Sequence, residues 1–274
     1  MIIGRRLTFM LSTVLLALCS SAASAAPIAV VAAESTYGVI AEAIGGSQVH
    51  VDSIIKNPNV DPHMFEADPA VARRVAQAQV VVMNGIGYDD WMDKLLAANP
   101  NQTRQVVVAA KLDPFLVMSN QNPHIFYDPR VGLLTASHQA NLKHFADSLL
   151  QVYAAAQQVM MAHPGLNVTA TEPVAGYMIR ELGYRSLNEH FQFSVMNGSE
   201  PSPQEVVRYE NSLRQHKVSL LFYNQQVTDS LTERLRKIAN ESGVPVVGVD
   251  EFVPPNTSYP QWLMETLKAV GKAL

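Results

Sequence analysis

The chain has 274 residues, of which 48% are hydrophobic and 16% are charged, and its formal net charge is −4 at pH 7. The hydrophobic share is large enough to fill a sizeable core, so the composition excludes a disordered chain. The acidic balance argues against nucleic acid as a partner, because binding to phosphates needs clustered positive charge.

The first residues have the pattern of a secretory signal peptide. Positive charge, a mostly apolar run and a small-residue cleavage site follow one another at Arg5-Arg6, Leu7 to Leu18 and Ala23-Ser24-Ala25. We therefore predict that residues 1–25 are removed and that the mature protein lies in a bacterial periplasm.

Cys19 is the only cysteine, and it leaves a lipoprotein alternative open. That alternative is less favoured, because Leu18 is bulky where lipid-attachment signals usually carry a small residue. Cleavage after Ala25 would leave the mature chain without cysteine, so any metal would be held by nitrogen and oxygen.

In the first half, strand-like runs alternate with helical patterns, which predicts a parallel sheet with helices on its faces. The apolar run Val80-Val81-Val82-Met83 lacks alternation, as expected for a strand covered on both faces. The predicted order is β Ile28 to Ala33, α Tyr37 to Ile44, β Val49 to Ile55, α Pro69 to Gln77, β Val80 to Asn84, α Asp89 to Ala98 and β Gln105 to Ala109.

A long helical pattern follows from Leu133 to Ala162, with no proline or glycine before Pro164-Gly165. The second half repeats the alternation without a close sequence repeat. Its predicted order is β Asn167 to Thr171, α Val174 to Leu182, a less certain strand near Arg185 to Leu187, α Pro203 to Gln215, β Val218 to Tyr223, α Ser230 to Ser242, β Val246 to Val249 and α Tyr259 to Leu274.

This order predicts an α/β fold of two lobes. Each lobe has a small parallel-type sheet flanked by helices, and one long rigid backbone helix joins the lobes. The predicted bounds are 26–132 for the N-terminal lobe, 133–164 for the linking helix and 165–274 for the C-terminal lobe.

Two histidines occupy matched settings. Asp61-Pro62-His63 and Asn122-Pro123-His124 each lie in a polar loop after a strongly apolar run. Proline fixes its own φ and disfavours helix for the residue before it, so each histidine has a stiff, extended approach. Either histidine alone is typical of an ordinary surface loop, but the pair favours a metal site built between loops.

Acidic residues complete the predicted site. Glu172 and the pair Asp250-Glu251 each follow a predicted strand, and in open parallel sheets ligands collect beyond the carboxyl ends of strands. Two imidazoles and two carboxylates suit a divalent first-row ion, so we predict that His63, His124, Glu172 and Glu251 meet in a cleft between the lobes. The alternatives are that Glu172 caps a helix and that Glu251 is solvated.

The other histidines lie in predicted helices or lack a convergent loop partner, so solvated or structural roles are expected for His50, His138, His144, His163, His190 and His216. The sequence also lacks a His-Glu-x-x-His helix, a phosphate-cradling glycine loop and a Gly-x-Ser-x-Gly turn. Because these catalytic signatures are missing, we predict that the protein is not an enzyme.

Short motifs along nearly the whole mature chain resemble those of the periplasmic metal-binding receptors of zinc and manganese ABC importers. They are Val31-Ala32-Ala33-Glu34 with Tyr37-Gly38, Asn57-Pro58-Asn59-Val60-Asp61-Pro62-His63-Met64-Phe65-Glu66, Asn84-Gly85-Ile86-Gly87-Tyr88-Asp89, Asn122-Pro123-His124-Ile125-Phe126-Tyr127-Asp128-Pro129, Thr171-Glu172-Pro173, Tyr223-Asn224-Gln225-Gln226, Gly243-Val244-Pro245-Val246-Val247-Gly248-Val249 and Ser258-Tyr259.

The resemblance implies two α/β lobes joined by a rigid backbone helix, with a metal ion bound in the cleft by one residue from each of four loops. By motif, His63 and His124 match the first two ligands. Glu172 matches the third, which is histidine in many relatives and glutamate in others. Glu251 is placed at the fourth position, with Asp250 as the competing choice.

The sequence departs from that family pattern after Pro129. Relatives usually carry an additional helix and loop there, whereas only Arg130-Val131-Gly132 separates Pro129 from the long helical pattern. About one helix is missing, so we expect less support behind His124 and a weaker affinity for metal.

The leading functional hypothesis is a periplasmic solute-binding protein that captures zinc or manganese and delivers it to an ABC importer permease in the inner membrane. It predicts a monomer with no nucleic-acid partner. One alternative is a degenerate or adhesin-type homologue, which the missing helix keeps open. The other is a metallohydrolase, in which two histidines and a glutamate leave an open position for water. These residues do not decide between zinc, manganese and iron.

Overall fold

The computed structural model describes residues 26–57, 60–113, 116–135 and 141–274, so the predicted signal peptide and Cys19 lie outside the described residues. Within those ranges the chain forms two sheets of four parallel strands each, flanked by helices. No helix of the described ranges is long and apolar enough to cross a membrane. The predicted α/β class with two parallel sheets is confirmed.

The first sheet has the strand order β2-β1-β3-β4. Its strands are β1 (Ile28–Glu34), β2 (Val49–Ile55), β3 (Val80–Met83) and β4 (Gln105–Val108), and its helices are α1 (Ser35–Gly45), α2 (Pro69–Gln77) and α3 (Asp90–Ala98). Val81, Val82 and Met83 are buried, as predicted for a strand covered on both faces.

A long helix follows the first sheet. The short helix α4 (Arg130–Thr135) begins directly after Pro129, and α5 (Asn141–Ala162) supplies most of the predicted long helix. Residues 136–140 lie outside the described residues. α5 packs against α10 (Tyr259–Ala273) at the end of the chain, and it buries a stripe at helical spacing formed by Phe145, Leu149, Val152 and Ala156.

The second sheet has the order β6-β5-β7-β8, so its four strands are arranged in the same sequence as those of the first sheet. Its strands are β5 (Asn167–Ala170), β6 (Arg185–Leu187), β7 (Leu221–Asn224) and β8 (Val246–Val249), and its helices before α10 are α6 (Gly176–Glu181), α7 (Glu189–Met196), α8 (Pro203–Arg214) and α9 (Ser230–Glu241). In each sheet the crossover direction therefore reverses between the two central strands, β1 and β3 in the first and β5 and β7 in the second, which is where open parallel sheets form a ligand crevice.

We call the elements before α5 the N-terminal lobe and those after it the C-terminal lobe; the exact bounds predicted for them remain a proposal. One hydrophobic cluster runs through both lobes, with Val30 and Ile40 from the first, Leu149 from α5, and Phe222 and Val247 from the second. Since separating the lobes would expose apolar surface, this shared core opposes a wide opening of the cleft.

Two short helices, α4 and α7, are absent from the sequence-based prediction. Each has too few turns to establish a periodic pattern. α4 packs closely on its neighbours at Gly132, where a Cβ would lie 2.9 Å from Leu149 and 3.0 Å from Tyr259. Glycine therefore allows the short α4 to approach α5 and α10 closely.

Candidate metal centre

The predicted ligands lie in loops that follow the carboxyl ends of strands. His63 follows β2, His124 follows β4, Glu172 follows β5 and Glu251 follows β8. Because the strands of each sheet are parallel, these ends share one edge, and the edges of the two lobes meet. A hydrogen bond of 3.2 Å from the Tyr88 hydroxyl to Glu251 Oε2 crosses between the lobes at this point.

His63 lies in a single 3-10 turn, Pro62–Met64, that Asp61 caps. The Asp61 carboxylate accepts a hydrogen bond of 2.9 Å from the His63 N–H, so the turn that carries the ring is fixed locally. Burial is the main cause that lowers the pKa of His63 to about 4, so the ring is neutral at pH 7. Its Nε2 atom is buried and has no hydrogen-bond partner among the described residues.

Asn122 fixes the tautomer of His124, which is completely buried. The Asn122 amide donates from Nδ2 to the Pro173 carbonyl at 2.7 Å, so its Oδ1 faces the histidine. That oxygen lies 2.8 Å from His124 Nδ1 and accepts from the His124 N–H at 3.1 Å. Nδ1 therefore carries the proton, and Nε2 holds the lone pair that a metal ion needs.

Aromatic rings surround the two imidazoles. The ring centroids of His63 and His124 are 5.6 Å apart, and the Tyr88 centroid lies 5.0 Å from the first and 5.7 Å from the second. Phe126 lies 5.8 Å from His124 in the same edge-to-face arrangement. These contacts restrict both rings by packing, in addition to the hydrogen bond between Asn122 and the His124 ring.

Glu251 brings a carboxylate of the C-terminal lobe to these rings. Its Oε2 lies 3.7 Å from His124 Nε2, and its side chain is completely buried. Burial, the largest single influence, raises the pKa of Glu251, but His124 and His63 together hold that pKa below its usual value. His63, His124 and Glu251 each offer one donor atom, and these atoms all lie within 4.8 Å of one another.

Glu172 is not part of this group of three, but one amide connects it to the group. Asn224 donates from Nδ2 to Glu172 Oε2 at 2.7 Å and to Glu251 Oε1 at 2.8 Å. Burial, followed by the charge of Glu251, raises the pKa of Glu172 to about 9. Glu172 is therefore a neutral acid at pH 7 unless a cation arrives.

Asp250, the competing choice for the fourth ligand, lies apart from this group. Its carboxylate accepts a hydrogen bond of 3.1 Å from Gln225 Nε2, a partner on the exposed side of the loop. Its backbone carbonyl accepts a hydrogen bond from the Tyr127 hydroxyl at 2.7 Å, which ties the loop to the N-terminal lobe. This geometry favours Glu251 over Asp250 as a donor.

Three contributors were not predicted from the sequence. Tyr88, Asn122 and Asn224 each contact a predicted ligand, and each stands in a motif that carried the resemblance, but no role was assigned to them. Asn224 ends β7, which was an available signal, whereas Tyr88 and Asn122 lie well beyond the ends of β3 and β4 and were marked only by their motifs. Of the other histidines in the described ranges, His50, His144, His190 and His216 are exposed and His163 is partly exposed, while His138 lies outside those ranges.

The donor set fits a divalent transition metal. Two imidazole nitrogens and two carboxylates offer four donors and two negative charges, which a dipositive ion would balance. A buried nitrogen without a hydrogen-bond partner is costly unless some group binds its lone pair. Both His63 Nε2 and His124 Nε2 are such atoms within the part of the chain that the structure describes.

Sequence comparison matches residues 30–273 to the family described as zinc-uptake complex component A, periplasmic. Among curated proteins, the manganese ABC transporter substrate-binding lipoprotein PsaA of Streptococcus anginosus is 22% identical over 277 aligned residues, which cover 89% of this chain and 87% of that protein. The match thus extends over nearly the full length of both proteins.

Solved structures show the same fold. A zinc-bound deletion mutant of ZnuA has a TM-score of 0.73 at 21% identity, covering 90% of this chain and 98% of that one. The solute-binding protein FpvC of Pseudomonas aeruginosa, in complex with manganese, has a TM-score of 0.72 at 20% identity, covering 89% and 96%. These likenesses confirm the predicted two-lobe architecture.

Proposed function

The chain belongs to the family of periplasmic zinc-uptake components, and from this premise we propose that it captures a divalent transition metal between its lobes and delivers it to an ABC importer. The family match confirms the resemblance that the motifs indicated. The proposed ligands are His63, His124, Glu251 and, as the fourth, Glu172. Zinc and manganese are the candidate ions, because named relatives and neighbours carry one or the other.

One observation carries this proposal: donor atoms from His63, His124 and Glu251 lie within 4.8 Å of one another at the interface of the lobes. The ligands come from both lobes, so a bound ion would connect them. Because the lobes share one hydrophobic core, binding should shift their arrangement slightly rather than close a wide hinge.

The proposed partner is the permease of an ABC transporter, which would receive the ion. Relatives named as transporter lipoproteins support an extracytoplasmic location. We place the mature protein in the periplasm as a monomer, after removal of residues 1–25; lipid anchoring at Cys19 is the alternative that those names favour. The protein would act as a carrier and not as an enzyme.

Isothermal titration of the purified mature protein with zinc and with manganese tests the proposal. We expect one site with a Kd below the micromolar range for at least zinc, since most nitrogen and oxygen sites bind zinc more tightly than manganese. Absence of binding by either ion at micromolar concentrations would contradict the proposed function.

Two neighbouring acids supply a matched pair of variants. Glu251→Gln should weaken zinc binding by more than about tenfold, because a charged donor is lost while the shape is kept. Asp250→Asn should change the affinity little, because its carboxylate bonds to Gln225 outside the group of donors. The reverse result would assign the fourth position to Asp250.

A further inference from the structure

Asn224 ends strand β7 and is almost completely buried between the two proposed acidic ligands. Its backbone N–H donates to the Thr171 hydroxyl at 3.0 Å, beside Glu172. Its side-chain Oδ1 accepts a hydrogen bond of 3.0 Å from the Gln226 N–H. These two bonds fix both the position and the orientation of the amide, so Nδ2 must face the carboxylates.

The amide binds one oxygen of each glutamate. Nδ2 donates to Oε2 of Glu172 at 2.7 Å and to Oε1 of Glu251 at 2.8 Å, which uses both of its hydrogens. The other oxygen of Glu251, Oε2, is the one that lies 3.7 Å from His124 Nε2. An oxygen that accepts an N–H already uses one of its two lone pairs and is the weaker metal donor, so the other oxygen of each glutamate is the preferred donor.

We propose that Asn224 determines metal selectivity by keeping both glutamates monodentate, which holds the site at four protein donors and favours zinc over manganese. Zinc in proteins prefers four-coordinate, tetrahedral sites, whereas manganese prefers more oxygen donors in octahedral geometry. A site with one oxygen from each carboxylate and one nitrogen from each imidazole matches the first preference. This inference rests on the proposed function, because it concerns the ion bound by the same residues.

Replacing Asn224 tests this role. In Asn224→Ala both glutamates lose the competing amide, so each can offer two oxygens. We expect the ratio of the manganese Kd to the zinc Kd to fall by about tenfold, because the site gains donors that manganese uses and zinc does not need. Asn224→Leu keeps the approximate shape but offers no hydrogen-bond donor and adds no charge, so it should shift the ratio in the same direction.

Gln225→Ala is the matched control. Gln225 is the next residue in the same loop, is exposed, and contacts Asp250 instead of a proposed ligand. Its loss should leave the ratio unchanged. X-ray absorption adds a direct readout: the wild-type protein with zinc should show four nearest nitrogen and oxygen neighbours, and Asn224→Ala with manganese should show more.

The outcomes separate the two proposals. A wild-type protein that binds neither ion at micromolar levels contradicts the proposed function itself. If X-ray absorption finds five or six nearest nitrogen and oxygen neighbours around zinc in the wild-type protein, the proposed role of Asn224 is wrong. This result does not depend on whether the variants fold. If the ratio of the manganese Kd to the zinc Kd is unchanged in the Asn224 variants, the proposed role of Asn224 is also wrong, while the proposed function stands.

Discussion

The nitrogen half of the candidate centre, His63 and His124, is packed in a cluster of aromatic rings, whereas its oxygen half, Glu172 and Glu251, is buried and joined by hydrogen bonds to one amide. The two imidazoles lie edge-to-face in an aromatic cluster. The two glutamates are buried and accept hydrogen bonds from one amide nitrogen. Burial and the charge of Glu251 raise the pKa of Glu172 to about 9.

This difference assigns different tasks to the two lobes. A half whose rings are restricted by packing loses little entropy on binding, so it positions the ion. A half with two buried carboxylates is stabilised strongly by positive charge, so it supplies most of the electrostatic attraction. Variants in the two halves should therefore change metal binding in different ways.

Removal of a nitrogen ligand should have the largest effect. His124→Ala should lower zinc affinity by at least about 100-fold, since loss of a ligand exceeds the loss typical of an orienting partner. Titration calorimetry measures the change, and His190→Ala, at an exposed histidine of α7, is the control. If His124→Ala binds zinc with the wild-type affinity, His124 is not a ligand.

The pH dependence of binding should report on the oxygen half. Glu172 has a raised pKa of about 9, so it holds a proton at pH 7 that metal binding must release, whereas His63, with a pKa of about 4, releases none. Zinc affinity should therefore rise by about tenfold per unit between pH 6 and 8. Calorimetry in two buffers of different ionisation enthalpy measures the proton release.

Glu172→Gln supplies the matching variant, because it removes the titrating proton and keeps the shape. The slope of affinity against pH should flatten in that variant. In the protein treated with a chelator, the raised folded-state pKa also means that Glu172 lowers stability as pH rises from about 4.5 towards about 9. A steep slope that persists in Glu172→Gln would place the released proton elsewhere.

The smallest expected effect comes from Asn122, which orients His124 and bridges to Pro173 across the cleft. Asn122→Ala should lower zinc affinity by about tenfold, because the imidazole loses its fixed tautomer while packing still holds the ring. Asn240→Ala, at an exposed asparagine of α9, is the control. An effect as large as that of His124→Ala would show that packing alone does not hold the nitrogen half.

The fold followed from sequence to a large extent. The unbroken apolar run at Val80 to Met83 and the regular alternation of strands and helices predicted the parallel sheets, because burial on both faces requires apolar residues at every position. The helices α4 and α7 were missed, since a helix of one or two turns has no repeating pattern to detect.

By itself the sequence determined which residue types stand after the strand ends, and hence that His63, His124, Glu172 and Glu251 were candidates. Only the tertiary structure decided how they meet: His63, His124 and Glu251 form one group, Glu172 joins through Asn224, and Asp250 lies aside. The reason is physical. Strand ends are encoded by local patterns of apolar residues, whereas distances across a cleft depend on how two lobes pack, which involves residues far apart in the chain.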